Sequence, residues 1–209
     1  MTVERFTVGE LESEVYLVYC DDSSDAVLID AGGGYKRVSE RAKALGKKIV
    51  AVFLTHGHVD HISAAEKFRS GGAKIGVSEK DAHMLKKTGG DNLARFLGLP
   101  YGGAEFDFTF RGGEEFIFGG FALKVVATPG HTAGSCCFLC DNACFSGDTL
   151  FLESVGRTDL PTGSHADLIV SIKKLLTALP PETVIYPGHG ESTTALYERN
   201  YNPYFSEGE

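Results

Sequence analysis

The run Lys48-Ile-Val-Ala-Val-Phe-Leu54, followed at once by Thr55-His56-Gly57-His58-Val59-Asp60-His61, constrains this chain more than any other stretch. An unbroken apolar run reads as a strand buried on both faces, as in parallel sheets covered by helices. Directly beyond its end stand three imidazoles and a carboxylate within six residues. His56 and His58 are two positions apart, so an extended backbone sends both side chains the same way. Asp60 and His61 fall at the start of the next helix, where they can address a second focus nearby. Crowded imidazolium ions would repel one another, whereas neutral imidazoles sharing a divalent cation are stable.

Three later residues have the same character. His131 follows Thr128-Pro129-Gly130, Asp148 follows Ser146-Gly147, and His189 lies in Tyr186-Pro-Gly-His-Gly190. Each is a metal-competent side chain in a turn where a strand stops, the place where α/β folds put their sites. With the first cluster they supply enough ligands for two metals. His83, beside Lys80 and Lys86, reads as a solvated surface residue. His165, in Gly-Ser-His-Ala, reads as part of a helix start, near enough to Arg157 in sequence to border a pocket.

Four of the five cysteines, Cys136, Cys137, Cys140 and Cys144, crowd into nine residues, and Cys137-Phe-Leu-Cys140 has the spacing of a metal or redox motif. The context favours core cysteines instead. Two apolar strands, Ser135–Cys140 and Ala143–Ser146, flank Asp141-Asn142, a hairpin turn, and buried cysteine behaves as a small hydrophobe. Gly32-Gly33-Gly34 imitates a phosphate loop but fits neither dinucleotide nor Walker spacing. Unpaired cysteines and the absence of a basic, then apolar, N-terminus lead us to expect a cytoplasmic protein.

The remaining pattern is mixed. Val3–Val8, Val15–Cys20 and Ala26–Ile29 read as an antiparallel meander, followed by a helix over Tyr35–Leu45. A helix over Ile62–Phe68, a strand Lys74–Val77, and a helix capped by Ser78 and running to about Lys87 come next. Thr88–Ala104, rich in glycine, is expected to be irregular. Strands near Phe106–Phe110, Glu115–Phe118, Phe121–Ala127, Ser135–Cys140 and Ala143–Ser146 precede a helix over His165–Ala178. A strand Thr183–Tyr186 and a short helix near Thr193–Asn200 end the chain. This is an α/β pattern, two mixed sheets flanked by helices, expected to form a single domain over 1–209. Apolar runs stop at about six residues, as in Ile49–Leu54, which excludes a membrane-spanning helix. The net charge of −8 argues against a nucleic-acid partner.

Thr-His-x-His-x-Asp-His, Pro-Gly-His-Thr, Ser-Gly-Asp-Thr-Leu-Phe and Pro-Gly-His-Gly, in that order, resemble the metallo-β-lactamase-fold hydrolases. The resemblance covers nearly the whole chain. It is closest to the short glyoxalase II-like group through Ser154-Val-Gly-Arg157-Thr-Asp-Leu-Pro and Glu198-Arg-Asn-Tyr-Asn-Pro203. It implies a four-layer αββα sandwich with metals at one edge. His56, His58 and His131 would hold one metal, Asp60, His61 and His189 a second, and Asp148 would bridge them. Asp60 and Asp148 would also take part in catalysis, and Asp30 would support the metal loop from behind.

The implied cofactors are two divalent ions, zinc first, with iron or manganese as the other choices. The implied reaction is hydrolysis of a small thioester, such as S-D-lactoylglutathione, by metal-activated hydroxide. The protein would work as a monomer or small homo-oligomer. Gly156-Arg157 resembles the Gly-Lys pair with which larger glyoxalase II enzymes hold a glutathione carboxylate, so Arg157 is a candidate substrate-binding residue, with an ion pair to Asp159 as its other reading. After His189 the chain reads Gly190-Glu191 rather than the Glu-Tyr pair of those enzymes. The runner-up is a persulfide dioxygenase, a mononuclear non-haem iron enzyme acting on glutathione persulfide, with the same motifs and iron held by His56, His131 and Asp148.

Overall fold

A computed structural model describes residues 1–86, 94 and 101–205. The opening meander forms where alternation demands it: β1 (Thr2–Val8), β2 (Ser13–Tyr19) and β3 (Asp25–Ile29) pair antiparallel in sequence order. The strands β4 (Lys48–Phe53), β5 (Lys74–Ser78) and β6 (Phe108–Phe110) then add in parallel register, completing a six-stranded sheet.

The second sheet is built from β7 (Glu115–Phe118), β8 (Phe121–Ala127), β9 (Cys136–Cys140) and β10 (Ala143–Gly147). A small two-stranded ribbon, β11 (Leu150–Phe151) and β12 (Ser154–Val155), interrupts it. The strands β13 (Val184–Pro187) and β14 (Thr193–Thr194) complete the order β14-β13-β10-β9-β8-β7, in which β10 and β13 are parallel and the other pairs antiparallel.

Side-chain alternation sorts the core into three layers of apolar contact. Tyr16, Val18, Val27, Ile29 and Phe53 point inward from the first sheet and meet Leu123, Val125, Phe138 and Phe145 from the second. At the centre, the Phe53 ring lies 5.0 Å from Phe116 and 5.5 Å from both Phe108 and Phe138. Truncating a fully buried Phe of this kind to Ala costs roughly 3–5 kcal/mol.

On the outer face of the first sheet, Val15, Leu17, Leu28, Val52 and Leu54 pack against α1 (Tyr35–Ala44), α2 (Val59–Ile62) and α3 (Ala65–Ser70). On the outer face of the second, Cys137, Cys144 and Ile185 pack against α4 (His165–Ala178) and α5 (Ala195–Tyr201). Leu168, Ile172, Leu175 and Leu176 supply the buried stripe of α4, whose first turn is capped by Ser164 Oγ accepting from Asp167 N. The result is the four-layer αββα arrangement.

Two local expectations are corrected. The helix expected over Ile62–Phe68 is broken into α2 and α3, because Ala64 N donates to Ala31 O at 2.8 Å and Ser63 Oγ to Gly32 O at 2.6 Å. Ser78 does not cap a helix; it ends β5, and only a single 3₁₀ turn forms beyond it, over Ala82–Leu85. The irregular segment expected at Thr88–Ala104 lies largely outside the described residues. No helix among the described residues is long and apolar enough to cross a membrane.

The Cys137-Phe-Leu-Cys140 spacing is explained by the same period-2 rule. Cys137 faces α4 while Cys136 and Cys140 face the other sheet, so the pair cannot converge on one ion. The Glu198–Pro203 motif is structural: buried Glu198 accepts from Thr193 Oγ1, Glu153 N and Asn202 Nδ2, fastening α5 to the β11–β12 ribbon.

Candidate metal centre

All seven residues singled out as ligands converge at one edge of the sandwich. His56 and His58 follow β4, and Asp60 and His61 ride on α2. His131 follows β8, Asp148 follows β10 and His189 follows β13, so every contributor stands just past a strand's carboxyl end. The Pro-Gly turns allow this crowding: a Cβ on Gly188 would lie 2.1 Å from Asp148 Oδ1.

Their donor atoms form three overlapping groups: His56, His58 and His131; Asp60, His61 and His189; and His56, His61 and Asp148, each with ligand atoms within 4.8 Å of one another. Asp148 reaches across them. Its Oδ1 is 3.3 Å from His61 Nε2, and its Oδ2 is 3.6 Å from both His131 Nε2 and His189 Nε2. Within the groups, His58 Nδ1 approaches His131 Nε2 at 2.8 Å and His61 Nε2 approaches His189 Nε2 at 3.2 Å.

The donor set fits divalent cations. His56 Nε2 and Asp148 Oδ1 are buried with no hydrogen-bond partner among the described residues. An unmet buried polar atom costs about 1–3 kcal/mol, a penalty that a shared cation removes. Electrostatics divides the groups. Burial, followed by the neighbouring imidazoles, pushes His56 well below its ordinary range and His58 down to about 3, so both are neutral and offer lone pairs. Burial acts in the same direction on His61 but is outweighed by Asp148, Asp60 and Asp30, which hold it well above. His189 is likewise raised, with Asp60 and Asp148 overcoming burial. Asp60 stays well below the carboxylate range, because His61 and His189 outweigh its burial.

Four of these side chains are held from behind. Asp30 accepts from Thr55 N at 2.7 Å, Thr55 Oγ1 at 2.8 Å and His61 Nδ1 at 2.9 Å, in line with the support that the family resemblance implies. His131 Nδ1 meets the Arg157 carbonyl at 2.7 Å, and His189 Nδ1 meets the Leu11 carbonyl at 3.0 Å. Ser13 Oγ donates to Asp60 Oδ2 at 3.1 Å. Sequence reasoning missed two features here, the β1–β2 hairpin as a wall of the site and Asp81. Asp81 is fully buried, its carboxylate facing Gly57, Thr132 and Gly134, although Ser-Glu-Lys-Asp reads as solvated polar chain.

The Arg157 guanidinium is exposed and forks onto Asp159 with two contacts of 2.7 Å. His83 is exposed and bonds to the Lys80 carbonyl, while the His165 ring lies 6.4 Å from that of Tyr204.

Residues 8–189 match the metallo-β-lactamase superfamily. The chain belongs to that superfamily. Among its relatives is a probable metallo-hydrolase of Streptococcus pyogenes serotype M6, 37% identical over 93% of this chain and 85% of that one. Another is the hydroxyacylglutathione hydrolase GloC of Haemophilus influenzae, 34% identical over 99% of both chains. The solved B3 metallo-β-lactamase BLEG-1 superposes with a TM-score of 0.91 at 32% identity, over 98% of this chain and all of the other. TTHA1623, solved in a di-iron-bound form, superposes at 0.86 with 33% identity, over 97% and 100%.

Proposed function

We propose that this protein is a dinuclear metal-dependent thioesterase of glyoxalase II type, cleaving S-D-lactoylglutathione or a related small 2-hydroxyacyl thioester. The observation that carries the reading is the pair of donor groups, His56/His58/His131 and Asp60/His61/His189, with Asp148 in contact with both. The likeness to a hydroxyacylglutathione hydrolase over the whole chain supports the substrate class.

In this reading His56, His58 and His131 hold one cation, Asp60, His61 and His189 the other, and Asp148 joins them. Bound there, a pair of divalent cations, zinc, iron or manganese, supplies Lewis-acid polarisation of a carbonyl and a water whose pKa falls from 15.7 toward about 7. The protein supplies access, orientation and charge. His61 is 0% exposed, whereas the side chains of Asp60, Asp148 and His189 are 13%, 12% and 27% exposed, so a small substrate approaches over these three. Asp60 Oδ2, kept ionised by His61 and His189 and oriented by Ser13, offers the second cation a charged oxygen. A thiol leaving group has a pKa near 8.5 and needs no acid from the chain. Arg157 would exchange Asp159 for a carboxylate of the substrate, a trade that its planar fork suits.

The test is metal analysis of anaerobically purified protein beside assays on S-D-lactoylglutathione, glutathione persulfide and a β-lactam. Two cations per chain and thioester cleavage without oxygen uptake are expected. One iron per chain with oxygen consumption on the persulfide, or turnover of the β-lactam alone, would overturn the proposal.

A further inference from the structure

One buried carboxylate joins the two loops that carry the first group of histidines. Asp81 Oδ2 accepts from Gly57 N at 3.0 Å, between His56 and His58, and from Thr132 Oγ1 at 2.6 Å, next to His131. Its Oδ1 accepts from Gly134 N at 2.9 Å. The cradle is built for close approach: a Cβ on Gly134 would stand 2.4 Å from the Asp81 carboxyl, and one on Gly57 would stand 2.7 Å from Met84 Cβ. All three partners donate to the carboxylate and offset the burial that pushes its pKa up. Gly57 and Thr132 stand on loops that leave opposite sheets, so this carboxylate ties the two halves of the ligand group together.

We propose that Asp81 is a positioning residue for the first metal group, setting the distance between His58 and His131 and thereby the cation affinity of that group alone. The inference rests on the reading of His56, His58 and His131 as metal ligands. Asp30 stands in the corresponding place for His61, so the centre has one buried carboxylate behind each half of its ligand set. A salt-bridge role for Asp81 is excluded among the described residues, since its contacts are all amide or hydroxyl donors.

The experiment is zinc titration of the chelator-stripped full chain against a chromophoric competitor, with folding followed by circular dichroism. Asp81→Asn keeps the shape but turns an amide toward three donors. It is introduced beside His189→Ala, which leaves the first group whole, and beside His58→Ala, which leaves the second. In the His189→Ala protein the added change is expected to weaken zinc binding about 10–100-fold, the usual effect of losing a partner behind a ligand. In the His58→Ala protein it should leave affinity within about twofold, because Asp81 touches none of the loops that carry the second group. Equal weakening in both, or none in either, would overturn the inference. Should Asp81→Asn fail to fold, Thr132→Val removes one of the three hydrogen bonds to Asp81, together with the contact to Ser135 Oγ, and the same comparison decides, with a smaller expected loss confined to the first group. Wild-type protein binding a single zinc would overturn the two-cation reading while leaving the comparison in the His189→Ala protein intact.

Discussion

Asp30 stands directly behind His61, its Oδ2 2.9 Å from the ring Nδ1, and the same carboxylate also holds the backbone and hydroxyl of Thr55. Asp30 sits at φ 62°, a left-handed conformation in which Asn is well tolerated. Asp30→Asn should therefore fold but orient His61 poorly. We expect about a 10–100-fold loss of affinity for one cation, measured by competitive zinc titration, with an unchanged circular dichroism spectrum. Asp30→Ala, which strands the Thr55 donors, should in addition lose roughly 1–3 kcal/mol of stability in urea unfolding.

Gly188 has no room for a side chain beside the shared carboxylate. A Cβ there would lie 2.1 Å from Asp148 Oδ1 and 2.8 Å from His61 Cε1. Gly188→Ala should displace the shared carboxylate and abolish binding of at least one cation while leaving the sheets intact. Metal content by mass spectrometry and far-ultraviolet circular dichroism check the two halves of this statement.

Metal uptake should release protons. Both ring nitrogens of His61 face carboxylates, which favour its protons and hold it well above its ordinary range in the cation-free protein, and His189 is shifted the same way. A cation at this group must displace those protons, so affinity falls as pH falls. Calorimetric titration in two buffers of different ionisation enthalpy should give different observed heats; identical heats would contradict the assignment.

Arg157 separates recognition from chemistry. Its carbonyl holds His131, but its exposed guanidinium contacts only Asp159 among the described residues. Arg157→Ala should raise KM for S-D-lactoylglutathione by roughly tenfold, about the 1.4 kcal/mol of one charge-assisted contact, with little change in kcat or melting temperature. A fall in kcat at constant KM would place the residue elsewhere in the reaction.

The histidines and cysteines should behave oppositely. His58→Ala is expected to abolish hydrolysis and remove one cation. Cys137→Ala should leave metal content unchanged and lower the melting temperature, because this fully buried thiol fills the space under α4.

The sequence made the candidate ligands legible because most of them stand past a strand's end in turns whose composition has few other uses, as in Pro187-Gly-His-Gly190. The meander was equally plain, since Tyr16/Val18 and Val15/Leu17 alternate between two apolar layers. Asp81 was not, because its partners lie 24, 51 and 53 residues away and no local pattern marks a carboxylate turned inward. The break between α2 and α3 was hidden for a similar reason: Ala64 is a good helix former whose amide is claimed by Ala31, just past the end of β3. The two-residue strands of the β11–β12 ribbon are too short to show a period.

The first sheet is built wholly from residues before Arg111 and the second wholly from residues after Glu114. Neither half contains a complete group of donors, since His131, Asp148 and His189 all lie on the far side of that turn. A chain nicked between Arg111 and Glu114 would thus yield two fragments, neither with a complete group of donors. Mixing them with the ion should restore the site, with the cation acting as a clasp that rewards correct reassembly of the two pieces.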